Sequence, residues 1–196
     1  MDIKVISVNV GKALLVSALF MFLSLVVSLS CGMDEAFSSL LISFLITLTV
    51  GAFPFIFVRK TSSISMSDGF LIITISWLLS FVFGMLPYLL YGGEFTLVNA
   101  FFESVSGYTT TGFSILKDVE ALPKSLLFWR SSTHFIGGLG VIVFLLLILP
   151  ESSPFRLRIT NLELSSLSRE GYRYRSSRTV RIMCTVYIGL VVVETL

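Results

Sequence analysis

The chain has 196 residues, 55% of them hydrophobic and 13% charged, with a mean hydropathy of +0.93. Soluble domains carry about 25% charged residues, so this composition excludes one and leaves an all-α integral membrane protein, because an open sheet cannot satisfy its backbone in lipid. The net charge of +2 excludes nothing by itself; the placement of the charges is informative.

In chain order, the first predicted span covers residues 11–31 and ends at the polar turn Gly32-Met33-Asp34-Glu35. Lys4 and Lys12 before an apolar run closing on Ser-Leu-Ser-Cys also fit a signal peptide, with a lipoprotein signal as the sharper form. The run outlasts the usual signal core of about 7–15 residues and further spans follow, so it reads as a retained membrane helix. The second span covers 36–58 and stops at Arg59-Lys60. A Ser/Thr loop fills 61–67. Asp68-Gly69 opens a third span, 70–91, which Gly92-Gly93 breaks.

The next segment, 95–107, carries apolar residues at Phe95, Val98, Phe101, Phe102 and Val105, the spacing of one helical face. A helix of that length reaches roughly 20 Å at 1.5 Å per residue, against a bilayer core about 30 Å thick. It is too short to cross, so residues 109–116 must turn back. A loop at 117–124 leads to a fourth span, 125–149, which Pro150 ends. Residues 151–181 are polar and arginine-rich. A last apolar stretch runs from Ile182 to Val193, short of the roughly 20 residues of a span.

Eleven of the fourteen basic residues (Lys4, Lys12, Arg59, Lys60, Arg156, Arg158, Arg169, Arg173, Arg175, Arg178 and Arg181) fall on one side of this layout. Lys117 and Lys124 fall on the other, and Arg130 lies inside the fourth span. The positive-inside rule then puts the N-terminus and the arginine-rich loop in the cytoplasm and residues 95–124 outside. The expected organisation is an N-terminal helix pair at 1–67, a membrane–pore–membrane unit with a re-entrant half-helix and filter loop at 68–150, a basic cytoplasmic linker at 151–181, and the start of a second such unit at 182–196.

The turn after the half-helix reads FFESVSGYTTTGFSIL. Taken alone, Thr-Thr-Thr-Gly is a polar loop. After a half-length helix and at membrane depth, irregular backbone belongs where it is buried in protein or lines a water-filled path. A dehydrated alkali cation needs oxygens in place of its water shell, and backbone carbonyls supply them in selectivity filters. Gly112 permits the positive φ that aiming them requires. The threonines Thr109, Thr110 and Thr111 add stiffness and hydroxyls, and Tyr108 and Phe113 wedge the turn against its neighbours. The negative end of the half-helix dipole favours a cation there.

Arg130 either pairs with Glu103 on the half-helix or acts directly in ion selectivity. His134, the one histidine, is either hydrogen-bonded structure or a proton-sensing group. Gly137-Gly138-x-Gly140 lies in an apolar helix with no strand before it, so it suits close helix packing rather than nucleotide binding. Cys31 and Cys184 read as two buried free thiols without metal spacing. The arginines and tyrosines of 169–181 suit an anionic membrane surface better than nucleic acid, with a regulatory subunit as a second partner.

Three stretches, DGFLIITISWLLSFVFGMLPYLL, FTLVNAFFESVSGYTTTGFSIL and LPKSLLFWRSSTHFIGGLGVIVFLLLILP, resemble the first repeat of the TrkH/KtrB (Trk/Ktr/HKT) potassium-uptake transporters. The helix pair before them is similar to the extra N-terminal pair of the TrkH branch. LSREGYRYRSSRTVRIMCTVYIGL is similar to the cytoplasmic linker and the start of the second repeat. The resemblance implies a pore built from four repeats, each giving one filter segment. It implies K⁺ as the transported ion, with Thr110 and Thr111 offering carbonyl ligands and Gly112 and Phe113 completing the segment. Thr109, Glu103, Arg130, Gly137 and Gly138 support it. A serine at the glycine position goes with sodium preference in some relatives, so Gly112 leans towards potassium.

The resemblance further implies a multi-pass protein of the cytoplasmic (inner) membrane. It implies a homodimer of full-length chains and a cytoplasmic nucleotide-binding regulatory subunit of the TrkA kind. No cofactor is expected in this chain. Only one filter segment is present and the chain stops in its fifth span, which reads as an N-terminal fragment. Competing readings are a sodium or mixed Na/K transporter, a channel-like subunit whose separate copies assemble one filter, and, remotely, an intramembrane enzyme using Glu103 and His134.

Overall fold

The structure is a computed structural model that describes residues 3–58, 66–148, 182 and 185–189. The described residues are helical with no strand. Six helices follow in order: α1 (Ile3–Ser30), α2 (Phe37–Phe57), α3 (Met66–Gly84), α4 (Leu86–Tyr91), α5 (Leu97–Tyr108) and α6 (Lys124–Ile148). Among the described residues three stretches are long and apolar enough to cross a membrane: Ile3–Ser30, Phe37–Phe57 and Asp68–Tyr91. The predicted fourth span appears as the 25-residue α6. The predicted linker at 151–181 lies outside the described residues. The chain divides into two compact units, 1–138 and 139–196, and the contacts below all lie within the first. In the second, 139–148 continue α6 and 185–189 are helical.

α1 begins at Ile3, eight residues before the predicted start of that span at Gly11. The polar residues that suggested a flank are accommodated on the helix itself. Asn9 Nδ2 donates to the Val5 carbonyl at 2.8 Å, and Lys12 Nζ donates to Asn9 Oδ1 at 3.3 Å. The third span is interrupted at Met85, two residues before Pro87, whose ring removes a helical amide. Cys31 is exposed, correcting the expectation of a buried thiol. It sits just past the last turn of α1, where Met33 and Gly32 adopt positive φ and the chain reverses. Cys184 lies outside the described residues.

α1 and α2 pack through small residues. A Cβ on Gly11 would lie 2.6 Å from the Gly51 carbonyl. Ser39, Ser43 and Thr47 are buried along α2, and each returns its hydroxyl to a carbonyl three or four residues back on its own helix. Many of the large apolar side chains point outward instead, such as Phe53, Ile56 and Phe57. Close helix approach through small residues with the bulk facing out is the usual solution in lipid, where apolar surface gains little from being hidden.

The buried apolar cluster gathers where the α1–α2 turn, α4, the start of α5 and the start of α6 meet. It includes Met21, Leu25, Leu40, Tyr88, Phe95, Leu126 and Trp129. The Trp129 indole donates to the Gly84 carbonyl at the α3 break, at 3.2 Å.

Asp34 ties the α1–α2 turn to α6. Its carboxylate accepts the Ser125 amide at 3.0 Å and the Ser125 hydroxyl at 2.8 Å, and also the Ser28 hydroxyl. The first amides of a helix have no partner of their own, so this is a cap supplied from 91 residues away. Burial pushes the Asp34 carboxyl up. The Ser28 hydroxyl, the Ser125 amide and hydroxyl, and the Ala36 amide together outweigh burial and hold it below the usual carboxylate value.

A group with a depressed folded pKa contributes stability above its unfolded value, about 3.9 for Asp, and loses it as pH falls through the folded one. Melting temperature in detergent should therefore drop between pH 7 and pH 3 more steeply for the unaltered protein than for Asp34→Asn; parallel curves would remove Asp34 from the acid response. A Cβ on Gly137 of α6 would run into the Tyr108 carbonyl, a backbone atom. Gly137→Val should cost about 3 kcal/mol, the upper end for overpacking, and Gly69→Ala, open around its Cβ, should be tolerated in the same thermal-shift assay.

Candidate functional site

The half-helix α5 is capped at its start by Thr96, whose hydroxyl accepts the Asn99 amide at 3.3 Å. Its buried face is Ala100, Glu103, Ser104, Ser106, Gly107 and Tyr108. Val98, Phe101 and Phe102, which the sequence pattern places on one stripe, face outward. The pattern locates a face without saying which way it points, and here the small and polar face points inward.

The four residues after α5 fold back on its end. The Thr109 amide donates to the Val105 carbonyl at 2.9 Å and the Thr110 amide to that of Gly107 at 2.9 Å. The Thr111 amide reaches the Ser106 carbonyl at 2.9 Å, and the Gly112 amide reaches the same oxygen at 3.4 Å. This wrap needs two left-handed residues, Thr110 at φ 57° and Gly112 at φ 82°. Glycine adopts such a φ freely and threonine does so at a cost of about 1–2 kcal/mol.

In a trans peptide the N–H and the preceding C=O point in opposite directions. With the amides of Thr110, Thr111 and Gly112 turned onto the helix end, the carbonyls of Thr109, Thr110 and Thr111 are turned away from it. Among the described residues these three oxygens accept no hydrogen bond. The segment is exposed from Thr109 to Phe113, with Phe113 71% accessible.

The next two carbonyls are engaged. Arg130 Nη2 donates to Gly112 O at 3.1 Å, and Ser106 Oγ donates to Phe113 O at 2.6 Å. Of the four residues expected to form the filter, Thr110 and Thr111 thus keep open carbonyls, while Gly112 and Phe113 anchor the segment to the protein. The Thr109 carbonyl joins the open set, and its hydroxyl bonds to the Val105 carbonyl and to Thr111 Oγ1, at 2.7 and 2.8 Å.

Arg130 and Glu103 pair, as the first of the two sequence readings expects. Arg130 Nε donates to Glu103 Oε1 at 2.7 Å, with the side chains 18% and 1% exposed. The second carboxylate oxygen accepts Ser114 Oγ at 3.0 Å and the Ile115 amide at 3.3 Å. One carboxylate therefore grips α6 and the strand of chain leaving the turn. Leaving the buried Glu103 carboxylate without its Arg130 partner costs about 3–5 kcal/mol. His134 Nδ1 lies 2.9 Å from the Arg130 carbonyl on its own helix.

α6 comes very close to α5 at two points. A Cβ on Gly137 would strike the Tyr108 carbonyl, and a Cβ on Gly107 would strike Thr133. Gly138, next to Gly137, is half-buried. Sequence reasoning singled out Gly137 but missed Ser106 and Ser114. The available signal was the pair Ser104 and Ser106 beside Glu103 on a half-length helix, with a further serine two residues after Gly112.

A family model described as TrkH, cation transport protein, matches residues 37–196. The chain is 53% identical over 55 residues to the Trk system potassium uptake protein TrkG of Escherichia coli K12, covering 28% of this chain and 11% of that protein. It is 35% identical over 98 residues to the Trk system potassium uptake protein TrkH of the same organism, covering 50% and 20%. The crystal structure of the potassium transporter TrkH from Vibrio parahaemolyticus superposes with a TM-score of 0.72 at 26% identity, covering 98% of this chain and 38% of that one. The matches thus span a fifth or less of these curated relatives and under two fifths of the solved chain. With its family model matched from residue 37 to residue 196 and its helices superposed on a solved TrkH, this membrane protein belongs to the TrkH cation transport protein family.

Proposed function

We propose that this chain contributes one quarter of a potassium-uptake pathway, with the carbonyls of Thr109, Thr110 and Thr111 as its share of the cation ligands and Gly112 and Phe113 as the anchors of that segment. The observation that carries the reading is the set of three consecutive carbonyls turned away from the end of α5 and left without hydrogen-bond donors among the described residues. Oxygens freed in this way can replace a cation's hydration shell. No single turn can surround an ion, so three more segments complete the ring, supplied by further repeats. K⁺ as the ion is supported by the relatives named potassium uptake proteins and by a glycine rather than a serine at 112.

The protein moves the ion down its electrochemical gradient, and its residues carry no bond-making chemistry. In this reading, residues 1–67 are an N-terminal helix pair and 68–150 the first membrane–pore–membrane repeat. Residues 151–181 are a basic linker beside the lipid surface and 182–196 open the second repeat. The charge distribution supports a cytoplasmic N-terminus in the inner membrane, with Thr109–Gly112 towards the outside. Two further elements of the reading are a homodimer of full-length chains and a cytoplasmic nucleotide-binding regulator of the TrkA kind. Both come from the resemblance to the family, and the Trk-system names of the relatives support a multi-component system.

The test uses the natural gene, including any coding sequence downstream of Leu196, expressed in a strain lacking other potassium uptake. Gly112→Asp places a carboxylate and a strained φ in the turn and should abolish growth on limiting potassium at normal membrane expression. Growth equal to the unaltered protein would refute the filter. Glu103→Gln keeps the shape but removes the charge facing Arg130. It should lower the melting temperature and cut uptake at least tenfold, measured per molecule in the membrane; unaltered uptake would mean that the pair only holds the fold.

A further inference from the structure

Tyr108 is the last residue of α5 and immediately precedes Thr109. Its ring is 2% exposed, and a Cβ on Gly84 of α3 would lie 2.5 Å from it. Phe81, also on α3, packs against the ring at a centroid distance of 6.1 Å. The Tyr108 carbonyl sits against Gly137 of α6. Its hydroxyl reaches in a third direction, to Ser17 Oγ on α1, at 2.9 Å. Ser17 is 1% exposed and lies near the middle of the first helix, 91 residues away in sequence. Among the bonds described here, this buried pair is the polar tie between the N-terminal helix and the end of the half-helix from which the threonine turn hangs.

A van der Waals contact lets a ring slide. A hydroxyl–hydroxyl bond in a dry interior fixes where its end must be, because leaving either oxygen unpaired costs about 1–3 kcal/mol. The Tyr108 backbone moves with its ring, and the Thr109 carbonyl is one peptide beyond it. We infer that helix α1 takes part in ion selection: Ser17 and Tyr108 are positioning residues whose hydrogen bond sets the placement of the Thr109–Thr111 carbonyls and hence the discrimination between K⁺ and Na⁺. The inference rests on the filter reading above and assigns to the N-terminal helix a role in the pore rather than in anchoring alone.

The experiment compares ion competition rather than activity alone. The protein expressed from its natural gene, with any coding sequence downstream of Leu196, is purified and reconstituted into liposomes. Rubidium uptake is then measured against competing K⁺ and Na⁺ for Ser17→Ala, Tyr108→Phe, the double variant and Ser17→Thr. Each single variant should lower K⁺-over-Na⁺ discrimination about fivefold, the change in an equilibrium that one net hydrogen bond of ordinary strength supports. The double variant should be no worse than either single one, since both remove the same bond. Ser17→Thr, which keeps the hydroxyl, should restore discrimination.

Melting temperatures in detergent separate placement from folding. If Tyr108→Phe does not fold, Ser17→Ala carries the comparison. Discrimination unchanged in Ser17→Ala, or singles whose effects add in the double variant, would overturn the inference. Gly112→Asp, run alongside, tells the two failures apart. If it abolishes uptake while Ser17→Ala matches the unaltered protein, the α1 tie falls and the filter stands; if Gly112→Asp also transports normally, both fall.

Discussion

A peptide cannot turn its N–H one way without turning its neighbouring carbonyl the other. That constraint governs the threonine turn. The end of α5 has carbonyls that need donors, and the amides of Thr109 to Gly112 supply them. The cap and the row of open carbonyls are the same object seen from two sides. Helix ends are commonly capped with one left-handed residue; this one uses two, at Thr110 and Gly112, and the second turn is what keeps three successive carbonyls on the far side. The partial negative charge at the helix end is met by these internal amides, which leaves the freed carbonyls as the open dipoles of the turn.

What holds this turn in place is ionic. Glu103 and Arg130 lie behind it, one almost fully buried. Removing two charges from water is costly, and their attraction offsets that cost only where the remaining donors and acceptors are satisfied. Here they are. Both Glu103 oxygens are occupied, and Arg130 spends one nitrogen on the carboxylate and another on the Gly112 carbonyl. A neutral hydrogen bond to Gly112 would be weaker and less directional. The pair is also neutral overall. It therefore fixes the segment without placing a net positive charge beside a path that cations would use.

The helices were legible where lipid sets the rule. Apolar runs long enough to span, broken by Gly32-Met33 and Gly92-Gly93, appear at nearly the expected places. The start of α1 was not legible, because Lys4 and Lys12 look like a flank until the helix is seen to begin at Ile3, with Lys12 bonded to Asn9 on the helix itself. The turn was legible in type, since a half-length helix followed by Thr-Thr-Thr-Gly leaves the chain few ways to go. The Glu103–Arg130 pair was legible because few charges are available at that depth. The choice of free carbonyls was not: whether Gly112 O is open or bound depends on where a guanidinium 18 residues later comes to rest. Ser17 was invisible for the same reason, as one serine among several on an apolar helix.

These observations change how the N-terminal pair is understood. By composition it is simply two lipid-facing helices. By contact it closes on the helices around α5 at two points: Asp34 caps α6, the helix that carries Arg130, and Ser17 holds Tyr108, the residue that launches the turn. The two ties act on different bodies, one on the guanidinium that grips Gly112 and one on the peptide that leads to Thr109. The five residues between Tyr108 and Ser114 are thus fixed from both sides through elements that begin in α1 and in the turn after it. A backbone that must keep three carbonyls unpaired and still hold one shape needs such external constraint, because it has given up the hydrogen bonds that would otherwise define it.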